Sequence, residues 1–136
     1  RVSPDAGGEE EGYDDLGVFC DEGSDDDPTA IRAVVLPANN LTGTIPDELF
    51  LLSSVVDVVL HSNDDLGGTI PASVRNLADL SRLQMYDCGL TGTVPSALGE
   101  LENLTELVLD TNSLTGPIPK ELFGLDKLEK LYLSDN

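Results

Sequence analysis

Residues Leu101 to Pro119 read LENLTELVLDTNSLTGPIP, with leucine at 101, 104, 107, 109 and 114, Asn112 between the last two, and Gly116, Ile118 and Pro119 closing the run. The stretch from Leu77, LADLSRLQMYDCGLTGTVP, has the same form, and LDKLEKLYLSDN begins it again at Leu125. Leu77, Leu101 and Leu125 are 24 residues apart, and so are Cys88, Asn112 and Asn136. Self-similarity at this spacing describes a stack of like rungs, none of which can bury its apolar edge alone.

Two earlier rungs fit the same template. The first runs from Ile31 through Val34, Leu36, Asn39, Leu41, Gly43, Ile45 and Pro46 to Leu49 and Leu52. The second takes Val55, Val58, Leu60 and Asn63, then has one extra residue in the Asp64–Asp65 turn before Leu66, Gly68, Ile70 and Pro71. The chain thus divides into an acidic segment, 1–30, and an array over 31–136 of about four and a half rungs, the fifth holding only its first half. An end that lacks its second half is expected to fray unless more rungs or a partner cover Leu114–Asn136.

Each rung translates into structure in the same way. The alternation Val34-x-Leu36, Val58-x-Leu60, Leu83-x-Met85, Leu107-x-Leu109 and Leu131-x-Leu133 predicts short strands with alternate side chains inward. Successive rungs place these strands side by side and parallel, about 4.8 Å apart. The following Asn39, Asn63, Asn112 and Asn136 point into the turn, where an amide can satisfy buried backbone groups. Cys88 takes that place in the third rung as a small side chain that tolerates burial. Gly43, Gly68, Gly92 and Gly116 allow a turn that a Cβ would penalise, and the Leu-x-x-Leu spacing after the prolines suits a short 3₁₀ or helical segment. The fold class is an α/β repeat solenoid.

Composition narrows the function. Seven basic against 26 acidic side chains give a formal charge of −19, which repels nucleic acid and anionic membrane surfaces. No run approaches the roughly 18 apolar residues of a membrane span. Without an initiator Met or a signal-peptide pattern, the chain is read as a mature or excised piece of a longer product. Residues 1–30 hold 11 acidic side chains and one Arg around a small apolar island, Tyr13, Leu16, Val18 and Phe19, leading to Cys20. The island is read as a cap over the first rung, with acidic flanks unable to offset their own ordering entropy. A Ca²⁺ loop at Asp21–Asp27 is the sharper alternative, but the run lacks the alternating spacing and closing Glu of an EF-hand. No cofactor or metal is implied.

The pattern LxxLxLxxNxLxGxIP at 24-residue spacing, with Leu41-Thr42-Gly43-Thr44-Ile45-Pro46 almost verbatim, resembles the plant-type leucine-rich repeat of receptor-kinase ectodomains and polygalacturonase-inhibiting proteins. The resemblance implies a right-handed curved solenoid with strands on a concave face and a second β-layer built from the LxGxIP segments. It also implies an extracellular or cell-surface recognition module, with another lumenal compartment as the alternative. Gly17-Val18-Phe19-Cys20 looks like the end of the family's cap, but Tyr13 and Asp15 stand where the first Cys and the Trp would be. The capping disulfide therefore cannot form within this chain. Acidic arrays of this type also look like those of unicellular algae.

The chain holds no Ser-His-Asp or Cys-His arrangement and no phosphate loop, so no enzymatic role is expected. The period defines columns of outward residues on the strands instead. Asp57, Arg82, Glu106 and Lys130 alternate in sign and can pair along the stack. Next to them stand Val35, Val59, Gln84, Val108 and Tyr132, a mostly apolar strip, then His61, Tyr86 and Asp110, and then Asp87. An apolar strip flanked by Tyr and acids fits a protein or peptide site, while β-propensity alone also favours Val and Tyr here. Both readings stand. Asn40-Leu41-Thr42 and Asn103-Leu104-Thr105 are sequons, open to glycosylation if the chain is secreted. The favoured function is a non-catalytic module for a protein or peptide ligand, or for further repeats of its parent chain. The alternatives are an ice-binding-like surface-ordering solenoid, for which Thr42, Thr91 and Thr115, and Thr44, Thr69 and Thr93, align on successive rungs, or a subunit of a larger assembly.

Overall fold

The computed structural model describes residues 17–20 and 30–136. Tyr13, Leu16 and the Asp21–Asp27 run lie outside them. Each rung contributes one strand to a single sheet: β2 (Ile31–Val35), β3 (Asp57–Val59), β4 (Arg82–Gln84), β6 (Glu106–Val108) and β8 (Lys130–Tyr132), all parallel. Inward residues stay in register from rung to rung, Val34 opposite Val58, Leu83 opposite Leu107 and Leu107 opposite Leu131. A sixth strand, β1 (Gly17–Cys20), closes the open edge of β2 and runs antiparallel to it. The apolar island thus supplies a strand whose direction the rung pattern did not foretell.

Opposite the sheet, each complete rung makes one 3₁₀ turn of five residues: Asp47–Leu51, Ala72–Asn76, Ser96–Glu100 and Lys120–Gly124. Pro46, Pro71, Pro95 and Pro119 stand immediately before them; proline fixes φ near the helical value and has no N–H to leave unpaired. Each turn closes with the following leucine amide donating three residues back, as Leu77 N does to Val74 O.

The core fills the space between these layers. Leu80, Leu83, Met85, Leu98, Leu101, Leu104, Leu107 and Leu109 are fully buried, and each such side chain contributes roughly 1.5–3 kcal/mol. In the fifth rung the template partners Leu125, Leu128, Leu131 and Leu133 are only partly covered. The LxGxIP segments form a regular second layer at one place, where β5 (Thr91–Thr93) pairs with β7 (Ser113–Thr115). Its register sets Thr91 opposite Ser113 and Thr93 opposite Thr115, two residues off the alignment that the 24-residue template predicts.

The turn asparagines behave as the pattern requires in three rungs. Asn63 Oδ1 accepts from Asn39 N and Leu41 N, while its Nδ2 donates to Leu36 O and Leu60 O. Asn112 repeats this on Cys88 N, Leu90 N, Met85 O and Leu109 O. Asn136 holds Leu114 N and Leu109 O. Asn39 departs from the expectation: its side chain is exposed. An asparagine at this position bonds the rung before its own, and no described rung precedes Asn39.

Candidate binding face

The outward side chains of the sheet form the candidate site. In the first column Arg82 Nε lies 3.2 Å from Asp57 Oδ1, and Lys130 Nζ lies 3.2 Å from Glu106 Oε2. The alternating signs pair from strand to strand, each pair exposed enough to contribute about 0–1 kcal/mol. Gln84 Nε2 adds a 2.7 Å bond to Glu106 Oε1, which ties the first column to the second.

The second column differs from its reading in sequence. Val35, Val59 and Val108 are expected to form an exposed apolar strip, and none of them belongs to the main core. All three are nonetheless buried, Val59 completely. Strand register supplies the reason for Val59. The Asp57–Arg82 pair stands on one side of it, two residues before, and the His61–Tyr86 pair stands on the other, two residues after. Paired long side chains on both flanks close over a short one between them. The accessible part of this column is Gln84 and Tyr132, the latter 54% exposed.

His61 and Tyr86 occupy neighbouring places in the third column and stack, with ring centroids 4.3 Å apart and planes 7° from parallel. His61 is therefore half-buried rather than free on the surface, and its Nδ1 sits 3.3 Å from Ser62 Oγ. Burial lowers its pKa, with Asp87 acting in the opposite sense. Burial raises the pKa of Tyr86, and the negative charges of Asp110 and Asp87 push the same way. The stack was legible only as two aromatic-type residues in adjacent places of one column; nothing in the sequence fixes the rotamers that bring the rings together.

His61, Arg82, Gln84, Tyr86, Glu106, Val108, Lys130 and Tyr132 together line one open groove of about 450 Å³ across β3 to β8. Of the predicted face, Val35, Asp57, Val59, Asp87 and Asp110 lie outside this lining, the last two beside Tyr86 at its edge. The turn residue Asp87 follows Tyr86 with φ +54°, a left-handed conformation that Ala38, Ser62, Thr111 and Asp135 repeat in the other rungs. Asp110 stands one strand beyond Tyr86 in its column.

The remaining predicted residues serve the scaffold. Cys88 is buried, and its Sγ donates to Leu60 O at 3.1 Å. Desolvation pushes its thiol up to about 11, against the lowering effect of an Asn63 backbone hydrogen bond, so it is protonated and inert at neutral pH. Gly92 has φ +80°, and an added Cβ would lie 2.9 Å from Thr69 Cγ2; Gly68 and Gly116 meet Thr44 and Thr93 in the same way. At Gly43 nothing lies within 4 Å, so only its φ of +89° calls for glycine. Asn40 is exposed, whereas Asn103 Nδ2 donates to Ala78 O and its Oδ1 accepts from Lys127 Nζ.

A family model described as leucine rich repeat matches residues 80–136. Among solved structures, a chain of the BIR3–SERK2 complex from Arabidopsis thaliana is 34% identical with a TM-score of 0.78, over 87% of this chain and 61% of that one. A plant ice-binding protein is 33% identical with a TM-score of 0.80, over 88% of this chain and 37% of that one. The plant peptide hormone receptor RGFR1, in complex with RGF2, is 35% identical with a TM-score of 0.68, over 76% and 17%. The chain thus spans less than two thirds of each of these proteins. No curated protein sequence matches it significantly. No helix among the described residues is long and apolar enough to cross a membrane.

Proposed function

We propose that this chain, which is built of plant-type leucine-rich repeats, is a non-catalytic recognition module that binds a protein or peptide on its strand face. The observation that carries this is the groove over β3 to β8, with the His61–Tyr86 stack and Tyr132 as aromatic anchors and hydrogen-bonding groups of Gln84 and Glu106 between them. Aromatic anchors beside a polar rim are what interfaces favour. Two similar structures are complexes, of BIR3 with SERK2 and of RGFR1 with RGF2, which supports the same use here. An extracellular or cell-surface location goes with this reading. In a secreted chain the sequons at Asn40, which is exposed, and at Asn103, which makes only exposed hydrogen bonds, are both candidates for a glycan.

Selection of peptides from a displayed random library on the purified chain tests the function. Selected peptides should lose binding to Tyr86→Ala and Tyr132→Ala but keep it on Phe123→Ala, whose side chain is exposed outside the groove. Equal loss in all three variants would sink the strand-face reading.

The exposed Thr91, Thr93, Ser113 and Thr115 on β5 and β7, with the likeness to a plant ice-binding protein, favour a second reading as a surface-ordering solenoid. Against it, the Thr91 and Thr115 hydroxyls already donate to Gly68 O and Gly92 O at 3.1 Å. The expected outcome is no thermal hysteresis at millimolar protein.

A further inference from the structure

The charges around the groove bear on the kind of partner it takes. Both of its cations are engaged by neighbouring carboxylates, Arg82 by Asp57 and Lys130 by Glu106. Asp87 and Asp110 have no cation opposite them among the described residues. They flank Tyr86, Asp87 as the next residue in the chain and Asp110 as the next place in the column. His61 covers one face of the Tyr86 ring from the preceding strand, so the opposite face is turned toward the strand that carries Asp110.

An aromatic face is electron-rich, and a carboxylate beside it is poorly matched unless a cation lies between them. Asp87, the next residue in the chain, adds a second negative charge near enough to act on Tyr86. Around this point the whole chain carries a formal charge of −19, which draws in a cationic partner and repels an acidic one. An acidic peptide would have to displace the carboxylates that already hold Arg82 and Lys130.

We propose that the groove takes a cationic peptide segment and seats an arginine or lysine side chain at its edge, beside the half-buried Tyr86 on the side away from His61 and next to Asp87 and Asp110; this rests on the strand-face reading above. Arginine suits the place better than lysine. Its planar guanidinium stacks on a ring while its edge donates to two carboxylates, and it gives up hydration more readily than an ammonium. The partner's remaining residues lie across Gln84 and Tyr132 toward β8.

The test uses three pools of fluorescein-labelled nonapeptides with randomised uncharged flanks and Arg, Glu or Ala at the centre, titrated by anisotropy against the 136-residue chain. The Arg pool should bind about tenfold or more tighter than the Ala pool. The double variant Asp87→Asn/Asp110→Asn should erase that advantage. The control Glu48→Gln/Glu121→Gln, which removes the same charge from exposed positions in the 3₁₀ turns, should keep it within about twofold. Equal loss in both doubles would reduce the effect to general attraction and overturn the proposal. A Glu pool that binds tightest, and is lost on Tyr132→Asp, would overturn the cationic class and leave the strand-face reading intact. Binding of every pool that ignores Tyr132→Asp overturns both.

Discussion

Two successive turns of the stack solve the same problem with different chemistry. Where the fourth rung meets the third, Asn112 Oδ1 takes Cys88 N and Leu90 N, and its amide group donates to three carbonyls, Met85, Leu109 and Asp110. Where the third rung meets the second, Cys88 offers a thiol that donates weakly to Leu60 O and Tyr86 O. The sulfur stands in only in part for the amide oxygen: it takes the Asn63 backbone N–H weakly, and Leu66 N bonds elsewhere. The second rung has adapted. Its extra residue at Asp64–Asp65 lets Leu66 N bond Asn63 O within its own turn, at 2.8 Å, where Leu41, Leu90 and Leu114 use the next rung's asparagine. The same insertion brings Asp64 O to 2.6 Å from where a Cβ on residue 89 would stand, and residue 89 is glycine at φ +64°. The equivalent position in the next rung is Ser113, an ordinary strand residue. An inserted residue, a cysteine and a glycine, spread over 26 positions, are therefore one fitted unit.

The largest effect should come from the amide-based turn. Asn112→Ala leaves two N–H groups and the Met85 carbonyl short of partners, since Leu109 O and Asp110 O still accept from Asn136 Nδ2 and Asp87 N. The loss should be about 3 kcal/mol in urea unfolding, whereas Cys88→Ala should cost about 1 kcal/mol. Equal losses would erase the distinction between the two turns.

Gly89→Ala follows. A left-handed backbone plus a Cβ against a backbone oxygen should cost about 2 kcal/mol, while Ser113→Ala at the exposed counterpart should stay within about 0.5 kcal/mol. A Gly89→Ala chain that melts with the wild type would mean that Asp64 O yields freely.

A double-mutant cycle sharpens the comparison further. Deleting Asp65 makes the second turn regular and frees Leu66 N; Cys88→Asn supplies the oxygen to receive it. Each change alone should destabilise, and together they should recover about 1 kcal/mol relative to their sum. Simple additivity would show that insertion and cysteine are unrelated.

The smallest effect is a pH slope. The Cys88 pKa is raised from 9.0 to about 11 on folding, so between these values the unfolded chain releases a proton that the folded chain keeps. Stability from this group is fully present below about pH 9 and declines as pH rises toward 11. The difference in melting temperature between wild type and Cys88→Ala, followed from pH 8 to 11, should move in that direction. A constant difference would mean that the thiol is not desolvated.

Much of this scaffold could be read directly. The places of the five parallel strands, the proline-led 3₁₀ turns and the asparagine hydrogen bonds all follow from the 24-residue period. The strand face was legible in part. The alternating charges meet as their columns suggest, but Val59 and Val108 are buried, which moves the accessible part of the groove to Tyr86, Gln84 and Tyr132. The second layer shows the same limit, since its register is two residues off the template.

By itself the sequence determined the rung spacing and which side chains turn inward, because periodicity and alternation are properties of the local chain. Only the tertiary structure decided which outward side chains stay open, why Gly89 is glycine, and that His61 and Tyr86 form one surface. Those outcomes depend on the shape of a neighbour some 25 residues away, where one inserted residue or one long side chain alters what fits beside it.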